Sequence, residues 1–371
     1  MKRRGLWRNF DFLLFGGVLL LGVIGIVIIN SAIAGSPSLI DLPQQQTIFL
    51  VVGLAVIIVL SLIDYQYLAS LTTIMYIVIV LLLVFIFVFG NAAFGSRRWF
   101  AIGGINIQPS ELARQVLIMV LANYFMKTKD DPKNWLWVIK SASIAGFIAF
   151  LVIIEPNLSS AIVLMLIWFS LIWLAGLPPK YLVWFVVIAV VLLVVAMLVP
   201  GLLEDYQKQR ILNFVAPEED ASYGETYNIE QALITIGSGG WFGQGYLQSS
   251  QVQLRFQKVR HTDFIFSVVA AEFGLVGTVV LMGMIFFVLW RCFYIAKHAN
   301  DLYGALIAYG IGVVMAFQTV VNIGVNLKLL PVTGLTLPFI SYGGSSMLSL
   351  CLGIGLVESV AVHTVKTETK A

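Results

Sequence analysis

The residues able to do chemistry crowd into three short polar stretches. The first reads Lys258-Val259-Arg260-His261-Thr262-Asp263-Phe264-Ile265-Phe266. Two cations, an imidazole, a hydroxyl and a carboxylate meet there, just before a long apolar run. Asp263 in that place suits a general base. It equally suits an N-cap, since Asp and Thr are ordinary helix starters. The helix dipole favours its ionised form, while burial disfavours it. The second stretch runs Gly95-Ser96-Arg97-Arg98-Trp99-Phe100, then Gln108-Pro109-Ser110-Glu111-Leu112-Ala113-Arg114. Glu111 and Arg114 are spaced i, i+3 and share a helix face. They either neutralise each other or face a ligand. The third, Pro331 to Ser345, is apolar yet broken by two prolines and three glycines. Before it, Gln318, Asn322 and Asn326 repeat at i, i+4, i+8 and form one polar stripe. That stripe reads as hydrogen bonding between helices or as the lining of a site.

Composition says what must position these groups. Of 371 residues, 60% are hydrophobic and 11% charged, the mean hydropathy is +0.95 and the formal net charge is +3. Too few charges exist to coat a water-soluble globule, where ~25% is usual. Disorder and nucleic-acid binding are excluded on the same grounds. Cys292 and Cys351 lie in apolar runs and read as packing residues, not as a disulfide or metal framework. The class is an all-α polytopic membrane protein. Ten apolar runs of helix length fall at about 12–34, 46–63, 68–90, 110–126, 136–154, 158–176, 181–200, 263–290, 303–326 and 343–364. The run at 110–126 is the least apolar. Residues 1–371 read as one membrane domain, with a long extracytoplasmic loop, 201–262, between helices 7 and 8.

Lys2, Arg3, Arg4 and Arg8 precede the first run, which ends Ser31-Ala32-Ile33-Ala34. This resembles a secretory signal, but the run is long and a bundle follows, so a retained helix is favoured. With the N-terminus in the cytoplasm, thirteen of the 22 Lys and Arg fall inside. Both termini are then cytoplasmic. The other nine are Arg97, Arg98, Arg114, Lys208, Arg210, Arg255, Lys258, Arg260 and Lys328. Clustered on the outer side, they suit an anionic ligand, or pairing with nearby acids such as Glu204 and Asp205. The long loop also holds Gly237-Ser-Gly-Gly240 and Gly243-Gln-Gly245, which match no phosphate-binding loop, and 227–237 suits a short interfacial helix.

Taken together, His261-Thr-Asp-Phe-Ile-Phe266, Gln108-Pro-Ser-Glu-Leu-Ala113, Arg97-Arg98-Trp99, Asp205-Tyr-Gln-Lys-Gln-Arg210, Ile236-Gly-Ser-Gly-Gly240, Asn322-Ile-Gly324 and Ile340-Ser-Tyr-Gly-Gly-Ser345 resemble the SEDS family (shape, elongation, division and sporulation). The likeness is greatest to its RodA branch, then to its FtsW branch, and covers nearly the whole chain. It implies a peptidoglycan glycosyltransferase of the bacterial cytoplasmic membrane. Such an enzyme polymerises lipid II, a disaccharide-pentapeptide on undecaprenyl pyrophosphate, on the outer face, beside a class B penicillin-binding protein. The essential acid of the family corresponds to Asp263. Three departures stand out. Arg114 replaces a frequent Lys, a fork in place of a point charge. Asn157 replaces an acid, so no acid or metal role falls to it. Ala271-Glu272 replaces a frequent pair of acids.

These readings make Asp263 the candidate catalytic base. Arg97, Arg98, Glu111, Arg114, Lys208, Arg210, Arg260, His261, Thr262, Asn322 and Ser341 become the candidate substrate-binding groups. The resemblance leaves room for a divalent cation, Mg or Mn, but no ligand cluster identifies one. Membrane lipids surround the chain, and a lipid groove between helices is expected. Two rival readings stand beside this one: a lipid II flippase, or a non-catalytic scaffold for a penicillin-binding protein. The flippase reading leans on Glu272, nine residues into the eighth span and so ~13 Å deep.

Overall fold

The computed structural model describes residues 8–89, 91–93, 96–102, 105–181, 183–185, 187, 225–254 and 259–364. Eleven helices are described: α1 (Phe12–Ala32), α2 (Leu42–Ser61), α3 (Tyr65–Phe89), α4 (Pro109–Lys127), α5 (Trp135–Ile154), α6 (Leu158–Leu174), α7 (Glu225–Ser238), the single turn α8 (Ser250–Gln253), α9 (Ile265–His298), α10 (Leu302–Asn326) and α11 (Gly344–His363). Seven segments are long and apolar enough to cross a bilayer: α1, Pro37–Ser61, Tyr65–Ile86, α5, α9, α10 and α11. The helix α6 is apolar but shorter, and α4 carries Glu111 and Arg114 in its first turns. The chain is a multi-pass membrane protein. Most of the expected span at 181–200, and residues 201–224 and 255–258 of the loop at 201–262, lie outside the described residues.

A small antiparallel sheet joins α3 to α4, where only a polar connection was expected. Its strands are β1 (Asn91–Ala93), β2 (Ser96–Ile102) and β3 (Ile105–Ile107), in the order β1-β2-β3. Phe100 of β2 stacks on Phe85 of α3, with ring centroids 5.7 Å apart, which seats the sheet on the bundle.

The spanning helices turn apolar residues outward, as a bilayer demands. Leu13, Val51, Ile77 and Phe286 face outward, while α10 and α11 are the most enclosed. Polar groups gather at the two ends. At one end Asp11 caps α1 through Leu14 N (3.0 Å) and pairs with Arg291, while Tyr65 donates to Asp301 (3.0 Å). The other end collects the C-termini of α1 and α10 and the N-termini of α2, α4, α6, α9 and α11. The three polar stretches meet there.

Candidate active site

The segment Val259–Phe264 is a tight turn leading into α9. Its backbone is gripped from two sides. Tyr342 N donates to the carbonyl of His261 (2.9 Å). The Ser341 hydroxyl donates to the carbonyl of Thr262 (2.7 Å). The carbonyl of Asp263 accepts from Nδ2 of Asn322 (3.0 Å) and of Asn326 (2.9 Å). Three successive carbonyls are thus fixed by two other elements. This pins the Cα of Asp263, and a pinned backbone costs a reacting side chain less reorganisation.

Two members of the polar stripe on α10, Asn322 and Asn326, make these contacts. Asn322 Nδ2 also donates to Leu335 O (2.9 Å), and Asn326 Oδ1 accepts from Ser267 N (3.2 Å). The N-cap position of α9 falls on Phe264, whose side chain makes no cap hydrogen bond. Asn326, reaching across from α10, serves the first turn instead.

Residues 331–343 thread through the bundle end and contact α1, α2, α6, α10, α11 and the turn before α9. Their backbone is satisfied by side chains, as buried irregular chain in a membrane protein must be. Ser341 accepts Leu337 N (2.9 Å), Gln46 donates to Ser341 O (3.2 Å), and the Tyr342 hydroxyl donates to Gln45 Oε1 (2.6 Å). Gly334, at φ +72°, lies against the acid: a Cβ there would stand 4.0 Å from Asp263 Oδ2. The preceding carbonyl, Thr333 O, accepts from the hydroxyl of Ser159 at the start of α6.

The next residue, Ser160, accepts from Arg114 Nη2 (3.1 Å), and Arg114 Nη1 binds Glu111 Oε2 (2.7 Å). The guanidinium is 2% exposed and the carboxylate 12%, so each neutralises the other out of water. The pair is therefore made within the protein, as the first of the two readings expects. Asn157 caps α6 through Ser160 N (3.2 Å) and donates to Ser110 (3.3 Å). Its amide does work that an acid could not do without a proton. Ser349 of α11 donates to Glu111 O (2.7 Å), and Gln108 N donates to Ser345 (3.0 Å). The second and third polar stretches are therefore interlocked, and one-residue steps lead from Arg114 to Asp263.

Other expected residues find different partners. Arg260 is buried and spends its guanidinium on Ala32 O and Ser36 Oγ, closing the C-terminal end of α1. Lys328 pairs with Glu230 of α7 (3.7 Å). His261 packs beside Tyr342, with centroids 6.1 Å apart. Burial, and then the neighbouring Arg260, hold its pKa below the ordinary imidazole value. Thr262 turns its hydroxyl back to Val259 O (3.2 Å). Arg97 and Arg98 lie in β2, with side chains outside the description, and Lys208 and Arg210 lie outside the described residues. Asn326, Gln45, Gln46, Ser159 and Tyr342 belong to this assembly without having been among the expected site residues. Among the described residues no three His, Cys, Asp or Glu side chains converge to hold a metal.

Comparison with known proteins gives the family. Residues 11–366 match the model of the FtsW/RodA/SpoVE family, described as cell cycle proteins. The probable peptidoglycan glycosyltransferase FtsW of Coxiella burnetii is 37% identical over 281 residues, 75% of this chain and 74% of its own. The peptidoglycan glycosyltransferase MrdB of Escherichia coli K12 is 33% identical over 319 residues, 84% and 83% of the two chains. A chain from a peptidoglycan synthase complex that coordinates polymerization and crosslinking superposes with TM-score 0.80 and 32% identity, over 95% of this chain and 97% of its own. Thermus thermophilus RodA superposes at 0.70 with 30% identity, over 96% and 98%. With nearly its whole length matched in sequence and in fold, this chain belongs to the FtsW/RodA/SpoVE family of cell cycle proteins.

Proposed function

We propose that this protein is a peptidoglycan glycosyltransferase that polymerises lipid II on the outer face of the cytoplasmic membrane. Both termini are then cytoplasmic and the Asp263 end of the bundle is extracytoplasmic. The observation that carries this reading is the clamp on the carbonyls of His261, Thr262 and Asp263. It fixes the backbone of Asp263 at the end of the bundle where the three polar stretches meet.

The chemistry asks for few parts. A sugar hydroxyl attacks an anomeric carbon, the new C–O bond forms, and the old bond to undecaprenyl pyrophosphate breaks. Asp263 takes the hydroxyl proton, a role typically worth ~10²–10⁴-fold. The leaving diphosphate needs cations. Arg114 and Arg260 hold internal partners, and Arg97, Arg98, Lys208 and Arg210 stand beside them as candidates. A Mg or Mn ion, if bound, would help to neutralise the diphosphate. The partner is a class B penicillin-binding protein, in keeping with the synthase complex that this chain resembles. Glu272, the support for a flippase, is bound by Ser31 and Leu247 N, which favours a structural role.

The test is purified protein with a class B penicillin-binding protein and lipid II in detergent, with and without chelator. Glycan chains support the enzyme. Flipping in liposomes without polymer supports transport. Polymer that survives Asp263→Ala in the complex supports a scaffold.

A further inference from the structure

Helix α9 is broken at Gly274, where φ is 66° and ψ −166°. A break frees backbone groups on both sides, and inside a membrane each must find a partner. One loop supplies four. Gln244 N donates to Ala271 O (2.9 Å) and Gly245 N to Glu272 O (3.0 Å). Leu275 N donates to Gly240 O (2.9 Å) and Val276 N to Trp241 O (3.1 Å). The loop is spliced into the helix ladder. Only glycine permits the approach: a Cβ on Gly243 would lie 2.1 Å from Glu272 O, and one on Gly274 2.3 Å from Gly243 N. The glycine run that matched no phosphate loop has this use.

Glu272 closes the splice. It is 1% exposed. Its Oε1 accepts from the Ser31 hydroxyl of α1 and from Leu247 N (3.3 Å). Its Oε2 is buried, with no hydrogen-bond partner among the described residues. The fold therefore uses one acceptor oxygen of this side chain, which a glutamine also possesses. The chain that leaves the splice at Leu247 returns at Val259 as the turn bearing Asp263.

We propose that Glu272 is a positioning residue for Asp263. Its acceptor oxygen ties loop 240–247 and α1 to the break in α9, and so fixes the two turns, 265–273, at whose outer end Asp263 stands. This rests on the reading of Asp263 as the base.

The test uses the full chain with a class B penicillin-binding protein and lipid II, together with amide hydrogen exchange. Glu272→Gln should polymerise within ~2-fold of the wild type, with the same pH profile and the same exchange. Glu272→Ala should speed exchange in 240–247 and 274–277 by ~10-fold or more and lower polymerisation by a similar factor, while 302–326 and 344–363 stay protected. If Glu272→Ala fails to fold, Gly243→Ala opens the splice from the loop side and should give the same local pattern. An inactive Glu272→Gln with unchanged exchange would overturn the proposal, because it would show that the charge or proton is used. So would Glu272→Ala polymerising at the wild-type rate with loosened amides. Exchange needs no activity: a wild type that makes no glycan refutes the base assignment, whereas unloosened amides in Glu272→Ala refute the splice lock.

Discussion

The amide of Asn326 donates to the carbonyl of Asp263 at 2.9 Å while its oxygen accepts Ser267 N at 3.2 Å, so one side chain on α10 fixes both the acid and the first turn of the helix behind it. Asn322, one turn earlier, donates to the same carbonyl. Helices α9 and α10 are thereby locked in register at the point where chemistry is proposed.

Asn326→Ala removes donors and an acceptor from a fully buried place. It should destabilise the protein by ~1–3 kcal/mol and cut polymerisation by ~10-fold or more. Thermal unfolding in detergent and the lipid II assay read the two effects separately. Asn326→Asp keeps the acceptor but loses the donor, and should resemble the alanine variant in activity.

Ser341 accepts Leu337 N and donates to Thr262 O, bridging the threaded segment to the turn. Ser341→Ala should therefore lower polymerisation more than it lowers melting temperature, because the bond lost aims the turn. Comparing kcat with the melting temperature checks this.

The Glu111–Arg114 pair is almost dry. Removing one partner of such a pair typically costs ~3–5 kcal/mol, because the other charge is stranded. Glu111→Leu and Arg114→Met should each be severely destabilised, and the double variant should recover much of the loss. A double-mutant cycle on unfolding midpoints measures the coupling, and strict additivity would contradict the mutual-neutralisation reading.

His261 has a pKa held below its ordinary value, first by burial and then by Arg260. The folded state thus binds fewer protons than the unfolded state below pH ~6.5. The stability this group contributes is complete above that pH and is lost as pH falls through it. Melting temperature should drop between pH 7.5 and 5.5, and the drop should be smaller in His261→Gln.

Much of this arrangement was legible in the residues. The i, i+4, i+8 spacing of Gln318, Asn322 and Asn326 announced a stripe, and the i, i+3 spacing of Glu111 and Arg114 announced a shared face. Helical periodicity is local, so it survives in a single sequence. What the stripe grips was not legible: a backbone carbonyl carries no residue identity. Gln45 and Gln46 sit at the start of an apolar run with nothing to name Tyr342 and Ser341 as their partners. Two of the strands at 91–107 have three residues each, and the third, Ser96–Ile102, runs polar then apolar with no alternation to announce it. The glycines of 237–245 signalled close approach without saying to what, since the break at Gly274 lies far along the chain. Arg260 looked like a ligand cation because sequence shows charge, and its anchoring to Ala32 O depends on the fold.

The most direct measurement is glycan synthesis from lipid II by the purified protein and its penicillin-binding partner, comparing wild type with Asp263→Ala and Asp263→Asn. The account predicts polymer from the wild type and a loss of ~10²-fold or more in both variants, with melting temperatures unchanged. Polymer made by Asp263→Asn at the wild-type rate would contradict it, because an amide of the same shape cannot take up the proton.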